Sequence, residues 1–433
     1  MKRLINLLKN NNKVDEWKIN THQDHSTELF FIKEDLQMNR AKDVEKISVT
    51  VYKNFELDNK KLKGSSLVVI NPSDTDEEIE SKINKAILSA SFVKNEFYTL
   101  PKPVNEKAPK ITSKFSEGDV VDTISDIVKE LYAENNQFGA FINSAEFFIT
   151  TSTKRIINSN GIDVKYNNYS ALMEIITEIK GEKEATELFK IFEFSDFDPE
   201  YIRNSIIEQL KYTALRGRAI ITPKLDGIPV IIRGQAVNEF WNFYLVRADA
   251  MMKYDKIFDN NVGDNILGED VIGDKITLTA TPYIHNSNRN SFYDIDGLLQ
   301  EETVIIEDGV IKNIYSSHRY ADYLKIKPTG GLRNRIIKGG KYTEAELRKT
   351  PYLEVISFSA FQMDVMAGFF GGEFRLALYH DGENVIPVTQ GAVTANLKEA
   401  QKAMYFSKET ITSINIVTPK IIKFEKMTIV GEN

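Results

Sequence analysis

The chain has 433 residues, 42% hydrophobic and 27% charged, a globular balance that excludes disordered and collagen-like classes. It has no cysteine, which removes disulfides, thiolate metal sites and thiol catalysis. Lys and Arg number 55 against 62 Asp and Glu, a net charge of −7 that gives no support to nucleic acid as a partner.

The chain opens on a short amphipathic helix whose apolar residues are Leu4, Ile5, Leu7 and Leu8. That run is too short for a secretory signal, and no later run approaches the roughly 18 apolar residues of a membrane span. A cytoplasmic protein with no membrane partner is expected. Ile47, Val49 and Val51 alternate as in a half-buried strand, and residues 66–70 form a second. Thr75 and Glu78 make a capping box. It opens a helix with Ile79, Ile83, Ala86, Ile87 and Ala90 on one face.

Residues 101–118 hold Pro101, Pro103 and Pro109 and read as an extended connection. A helix follows with Val120, Ile124, Ile127, Val128 and Leu131 on one face. Strand-like runs come next at 138–142, 146–151, 155–158 and 162–169. The last two are joined by the turn Asn158-Ser159-Asn160-Gly161. Two helices then close this half. The second starts at Asp198-Pro199, an N-cap followed by proline at N1, and ends near Gly217.

Beyond Ala219 come a short apolar strand at 228–232 and a helical stretch from about Gln235 to Met252. Strands then dominate, at 276–280, 303–307, 310–316, 353–359, 374–379, 384–388, 411–416 and 421–429. Asp308-Gly309 and Asp381-Gly382 are hairpin turn signals. The expected fold is α+β. An N-terminal mixed α/β domain (1–217) contains the extended connection at about 101–118. A mainly antiparallel β, barrel-like C-terminal domain (218–433) follows.

Chemistry is sparse. His22 and His25 flank Asp24 and are the one close histidine pair, but no third ligand accompanies them. Gly339-Gly340-Lys341 lacks the upstream glycine and the following Ser or Thr of a phosphate loop. No GxSxG nucleophile elbow is present. Arg333, Arg335, Lys338 and Lys341 form a basic loop able to meet a phosphate or a peptide carboxylate. His318 and Arg319 follow a predicted strand and are candidate cleft contacts.

Several ordered segments together resemble the TldD/PmbA family, the metallopeptidase-related proteins also called modulators of DNA gyrase. They are the turn after Arg155 (Asn158-Ser159-Asn160-Gly161) and Gly227-Ile228-Pro229 running to Ala236. Asp308-Gly309 with Ser317-His318-Arg319-Tyr320, and Asp381-Gly382 with Pro387 and Asn396, complete the set. The resemblance covers roughly residues 140–400. It implies a fold shared with subunits whose active branch carries an HExxxH helix. In that branch two histidines and a later cysteine hold zinc, and zinc-activated water hydrolyses peptides.

This chain departs from that pattern. Read from Asn238, the motif positions are Asn238, Glu239 and Phe243; read from Phe243, the histidine positions are Phe243 and Ala248. Either register removes both imidazoles, and the cysteine is absent. Phe240, Trp241 and Phe243 suggest that packing fills the place. The resemblance therefore implies the PmbA (TldE)-like branch, with no catalytic residue, metal or cofactor of its own. Its partner would be a TldD-like metallopeptidase subunit, or a second copy in a homodimer, with unfolded peptides or peptide precursors as substrates. The alternatives are a stand-alone peptide-binding protein, capturing peptides at an open sheet edge, or a peptidase with a site other than HExxxH built on His318, Arg319 and Glu239.

Overall fold

The computed structural model describes residues 1–117, 120–181, 184–349 and 351–432. The N-terminal half contains α1 (Lys2–Asn10), β1 (Glu16–Ile32), β2 (Asp35–Leu57), β3 (Lys60–Ile70), α2 (Asp76–Ser91) and β4 (Asn95–Glu96). It continues with α3 (Val120–Tyr132), β5 (Ala140–Asn158), β6 (Asp163–Ile179), β7 (Thr186–Phe194) and α4 (Pro199–Gly217). Its strands form one antiparallel sheet in the order β4-β3-β2-β1-β5-β6-β7.

Side-chain alternation gives this sheet two different faces. On β1, Trp17, Ile19, Leu29 and Phe31 point to the helices. The first two join Leu4, Leu8, Ile79 and Ile83 of α1 and α2. The last two join Ile124, Ile127, Ile202 and Ile206 of α3 and α4. Residues of the opposite parity face away from the helices. The β1–β5–β6 register aligns His22, Lys154 and Tyr166 on that second face, beside a rung of Asp24, Ser152 and Asn168.

Two expectations change here. The runs at 138–142, 146–151 and 155–158 form one strand, β5, with a register shift between Ile142 and Ser144. The helix expected between Tyr169 and Asp198 is replaced by the end of β6 and by β7. Leu172, Ile175, Ile176 and Ile179 have helical spacing, but the β-branched residues extend, and burial alternates along β6 with period two. His22 and His25 lie on a strand three residues apart, so they point to opposite faces and form no ligand pair. The connection after Pro101 is irregular apart from a single turn at Lys114–Ser116, and Gly118 lies outside the described residues.

The C-terminal half begins with β8 (Ile220–Ile221), β9 (Val230–Arg233), α5 (Gln235–Phe240), α6 (Asn242–Arg247) and α7 (Ala250–Tyr254). Next are β10 (Leu278–Thr281), β11 (Thr303–Glu307), β12 (Val310–Ile311), α8 (His318–Leu324), β13 (Asn334–Ile337) and α9 (Glu344–Leu347). Then come β14 (Tyr352–Met363), β15 (Phe369–His380), β16 (Val385–Thr389), β17 (Gly391–Asn396) and α10 (Leu397–Ala400). The last strands are β18 (Met404–Phe406), β19 (Thr410–Ser413), β20 (Ile416–Pro419), β21 (Ile421–Phe424) and β22 (Thr428–Val430).

One sheet runs β18-β21-β9-β14-β15-β16-β8, with β17 and β22 continuing from β15; the other runs β12-β11-β10-β13-β20-β19. Pairing is mainly antiparallel, with parallel contacts at β9–β14, β8–β16 and β13–β20. A single core joins both sheets to the helices between them.

The barrel-like expectation is corrected: neither sheet closes among the described residues. Alternating runs specify strands but not closure, and here β8, β12, β18 and β19 end their sheets. The helical stretch 235–252 divides into three short helices, and the Asp308-Gly309 and Asp381-Gly382 hairpins form as read. No helix among the described residues is long and apolar enough to cross a membrane.

Candidate functional site

Helices α5 and α6 carry the positions singled out from the sequence. Phe240, Trp241 and Tyr244 are fully buried. The Phe240 ring meets Trp241, Tyr244, Phe370 and Phe424 edge-on, at 5.1–5.8 Å between centroids. Trp241 Nε1 donates to Thr418 Oγ1 at 2.8 Å, and the Tyr244 hydroxyl donates to Gln401 Oε1 at 3.0 Å. These bonds satisfy the polar ends of two buried rings, so the helix pair is fixed by packing.

Phe243 is buried beneath Arg247, whose guanidinium carbon lies 3.8 Å from the ring centroid. Ala248 is fully buried. Asn238 donates through Nδ2 to Ser413 Oγ at 2.9 Å, and its Oδ1 is buried without a partner. Glu239 is half-buried, and burial raises its carboxyl above the usual carboxylate range. An amide, one carboxylate and a phenyl ring do not make a zinc site, because two of the three positions lack a donor of the required kind. The residues present do not fit the metal.

His318 and Arg319 fall elsewhere. They open α8, which packs on the segment around Tyr98. His318 Nε2 meets the Thr99 carbonyl at 2.7 Å. Arg319 donates to the Tyr323 hydroxyl at 3.0 Å and stacks over Tyr98, Tyr320 and Tyr323. Both join the two halves of the chain, and none of their contacts reaches Glu239. His318 Nδ1 remains buried without a hydrogen-bond partner.

The basic loop divides. Arg335 lies on β13, largely buried, with Nη1 donating to Asn242 Oδ1 at 2.5 Å and Nε without a partner. Lys338 and Lys341 are exposed. Arg333 points toward a small pocket where the second face of the N-terminal sheet meets the C-terminal half. That pocket, about 110 Å³, is lined by Lys154, Asn168, Arg289, Asp294, Gln300 and Arg333, among others. It adjoins a cleft of about 880 Å³ between residues 103–112 and the first part of β6. Tyr166 and Tyr293, with centroids 5.7 Å apart, border both spaces.

The sequence reading missed Lys154, Arg289 and the cleft. No local pattern joins Lys154 to Arg333; the sheet register and the approach of the second half bring them together.

Residues 226–431 match the model of the PmbA/TldA metallopeptidase C-terminal domain. This matched domain is of the TldD/PmbA family. It is 21% identical to an uncharacterized protein of Methanocaldococcus jannaschii, over 80% of this chain and 83% of that one. It is 24% identical to a metalloprotease of Methanothermobacter thermautotrophicus, over 69% of this chain and 66% of that one. Its fold is similar to that of TldE from Thermococcus kodakarensis, with a TM-score of 0.80 and 19% identity, over 99% of this chain and all of that one.

Proposed function

We propose that this chain is a non-catalytic subunit that pairs with a TldD-like zinc metallopeptidase acting on unfolded peptides or peptide precursors. The observation that carries the reading is the α5–α6 pair. At the two histidine positions stand Asn238, hydrogen-bonded to Ser413, and Phe243, packed under Arg247. Glu239 alone keeps a chemistry compatible with the motif, and a carboxylate without metal or nucleophile is a poor peptidase. The metallopeptidase-related family supports the peptide substrate.

The test is co-expression with the TldD-like protein of the same organism. Co-purification, with hydrolysis of an unfolded peptide and zinc content both following the partner, is the expected result. Stoichiometric zinc and peptidase activity in this chain alone would overturn it. Purification solely as a homodimer with no affinity for the partner would overturn the pairing.

A further inference from the structure

We propose that the pocket between Lys154 and Arg333 binds the terminal α-carboxylate of a peptide lying extended in the adjoining cleft. The inference takes from the reading above only that the ligand is a peptide; it needs neither the partner subunit nor any hydrolysis.

The first support is unneutralised charge. The side chains of Lys154 and Arg333 have no hydrogen-bond or ion-pair partner among the described residues. Burial, and then the nearby Arg333, depress the Lys154 ammonium below its ordinary value. Arg289, the third cation, is held by Glu193 at 3.3 Å. Lys154 is half-buried and feels Asp24 without contacting it, and Arg333 beside it is exposed, so an anion arriving between the two cations relieves their repulsion.

The second support is a set of unmet polar atoms on the same walls. Asn168 Oδ1, Asn288 Oδ1, Asp294 Oδ2 and Gln300 Oε1 are buried without partners. All four are oxygens and need donors, which a peptide N–H or a water supplies, while the carboxylate itself is left to the two cations.

The third support separates a peptide from a free phosphate. Strand β7 pairs with β6 only over Ala171–Ile179. The outer edge of residues 163–170 therefore has no strand partner among the described residues, and it borders the 880 Å³ cleft. An extended chain can add there by backbone hydrogen bonding. Tyr166 stands at the junction with the pocket, so the end of such a chain reaches Lys154 and Arg333. A guanidinium recognises a carboxylate through paired N–H donors.

The test uses the full chain alone and calorimetric titration with an unstructured peptide of uncharged side chains. The peptide is supplied as the free acid and as its C-terminal amide, with inorganic phosphate as a third titrant. The free acid is expected to bind about tenfold or more tightly than the amide, the scale of one charge-assisted hydrogen bond. Arg333→Gln, at an exposed position, should abolish that difference. Lys154→Met should abolish it too, without lowering the melting temperature, because it removes a desolvated charge; a merely structural lysine would lower it. Equal affinity for acid and amide, no binding of either, or tight phosphate binding without acid–amide discrimination would each overturn the proposal.

Discussion

Asp294 shows how the interface between the two halves imposes a cost on a single side chain. Its Oδ1 accepts the backbone N–H groups of Asp296 and Leu298, while Oδ2 is buried without a partner. Burial, with Asp296 adding repulsion, pushes its carboxyl up to about 6 from 3.8. The folded state thus favours the protonated form. Its contribution to stability is fully present below about pH 4 and is lost as the pH rises through about 6. Asp294→Asn keeps the Oδ1 acceptor and removes the titration. The variant should gain on the order of 2 kcal/mol over the parent between pH 4 and pH 7. Urea unfolding at several pH values in that window checks this; parallel stability curves for the two proteins would show that Asp294 does not titrate there.

At the scale of elements, the best-specified piece is α2. The Thr75 hydroxyl accepts the Glu78 amide, and the Glu78 carboxylate accepts the Thr75 amide, so the capping box closes as the sequence indicated. Thr75→Ala should cost about 1 kcal/mol, and Thr75→Ser much less, read from thermal melts of the whole chain. No change in the alanine variant would mean that α2 is held by Ile79 and Ile83 alone. Signals of this kind were legible because they are local: the caps of α2 and α4 and the two Asp-Gly hairpins each lie within a few residues. The sheet around them was less so. Most of β1 went unread because its middle is polar on both faces, from Asn20 to Thr27, and its stability comes from β2 and β5 on either side. The second half of β6 takes the place of the helix expected before Asp198 because packing against α4 overrides an ambiguous spacing. The same division applies to the site. The altered motif helix was visible in one window of sequence. The pocket was half visible, as Arg333 in a basic run, because Lys154 and Tyr166 reach it only through register.

The two halves of the molecule are joined by polar contacts, some at the surface and some buried. Asp322 accepts the Thr99 amide at 3.0 Å, and Tyr323 donates to the Glu96 carbonyl at 2.9 Å. The rings of Tyr52, Tyr98 and Tyr323 form a chain across the same seam. Beside them, Lys18 of β1 pairs with Asp296, both side chains 11% exposed, and also donates to the Ile295 carbonyl at 3.2 Å. These contacts tie the N-terminal sheet to the C-terminal half, so the two should unfold in one cooperative transition. The Lys18–Asp296 pair is the sharpest probe of that coupling. Asp296→Ala removes the ion-pair partner of a buried ammonium and should cost about 3 kcal/mol. Replacing both, Lys18→Met with Asp296→Leu, removes the stranded charge and should recover most of that loss. Calorimetry distinguishes the cases. A single transition shifted down in Asp296→Ala and largely restored in the double variant is the expected pattern. Two separate transitions in the parent protein would mean that the halves fold independently, and that the pocket between them is assembled by docking of two stable bodies.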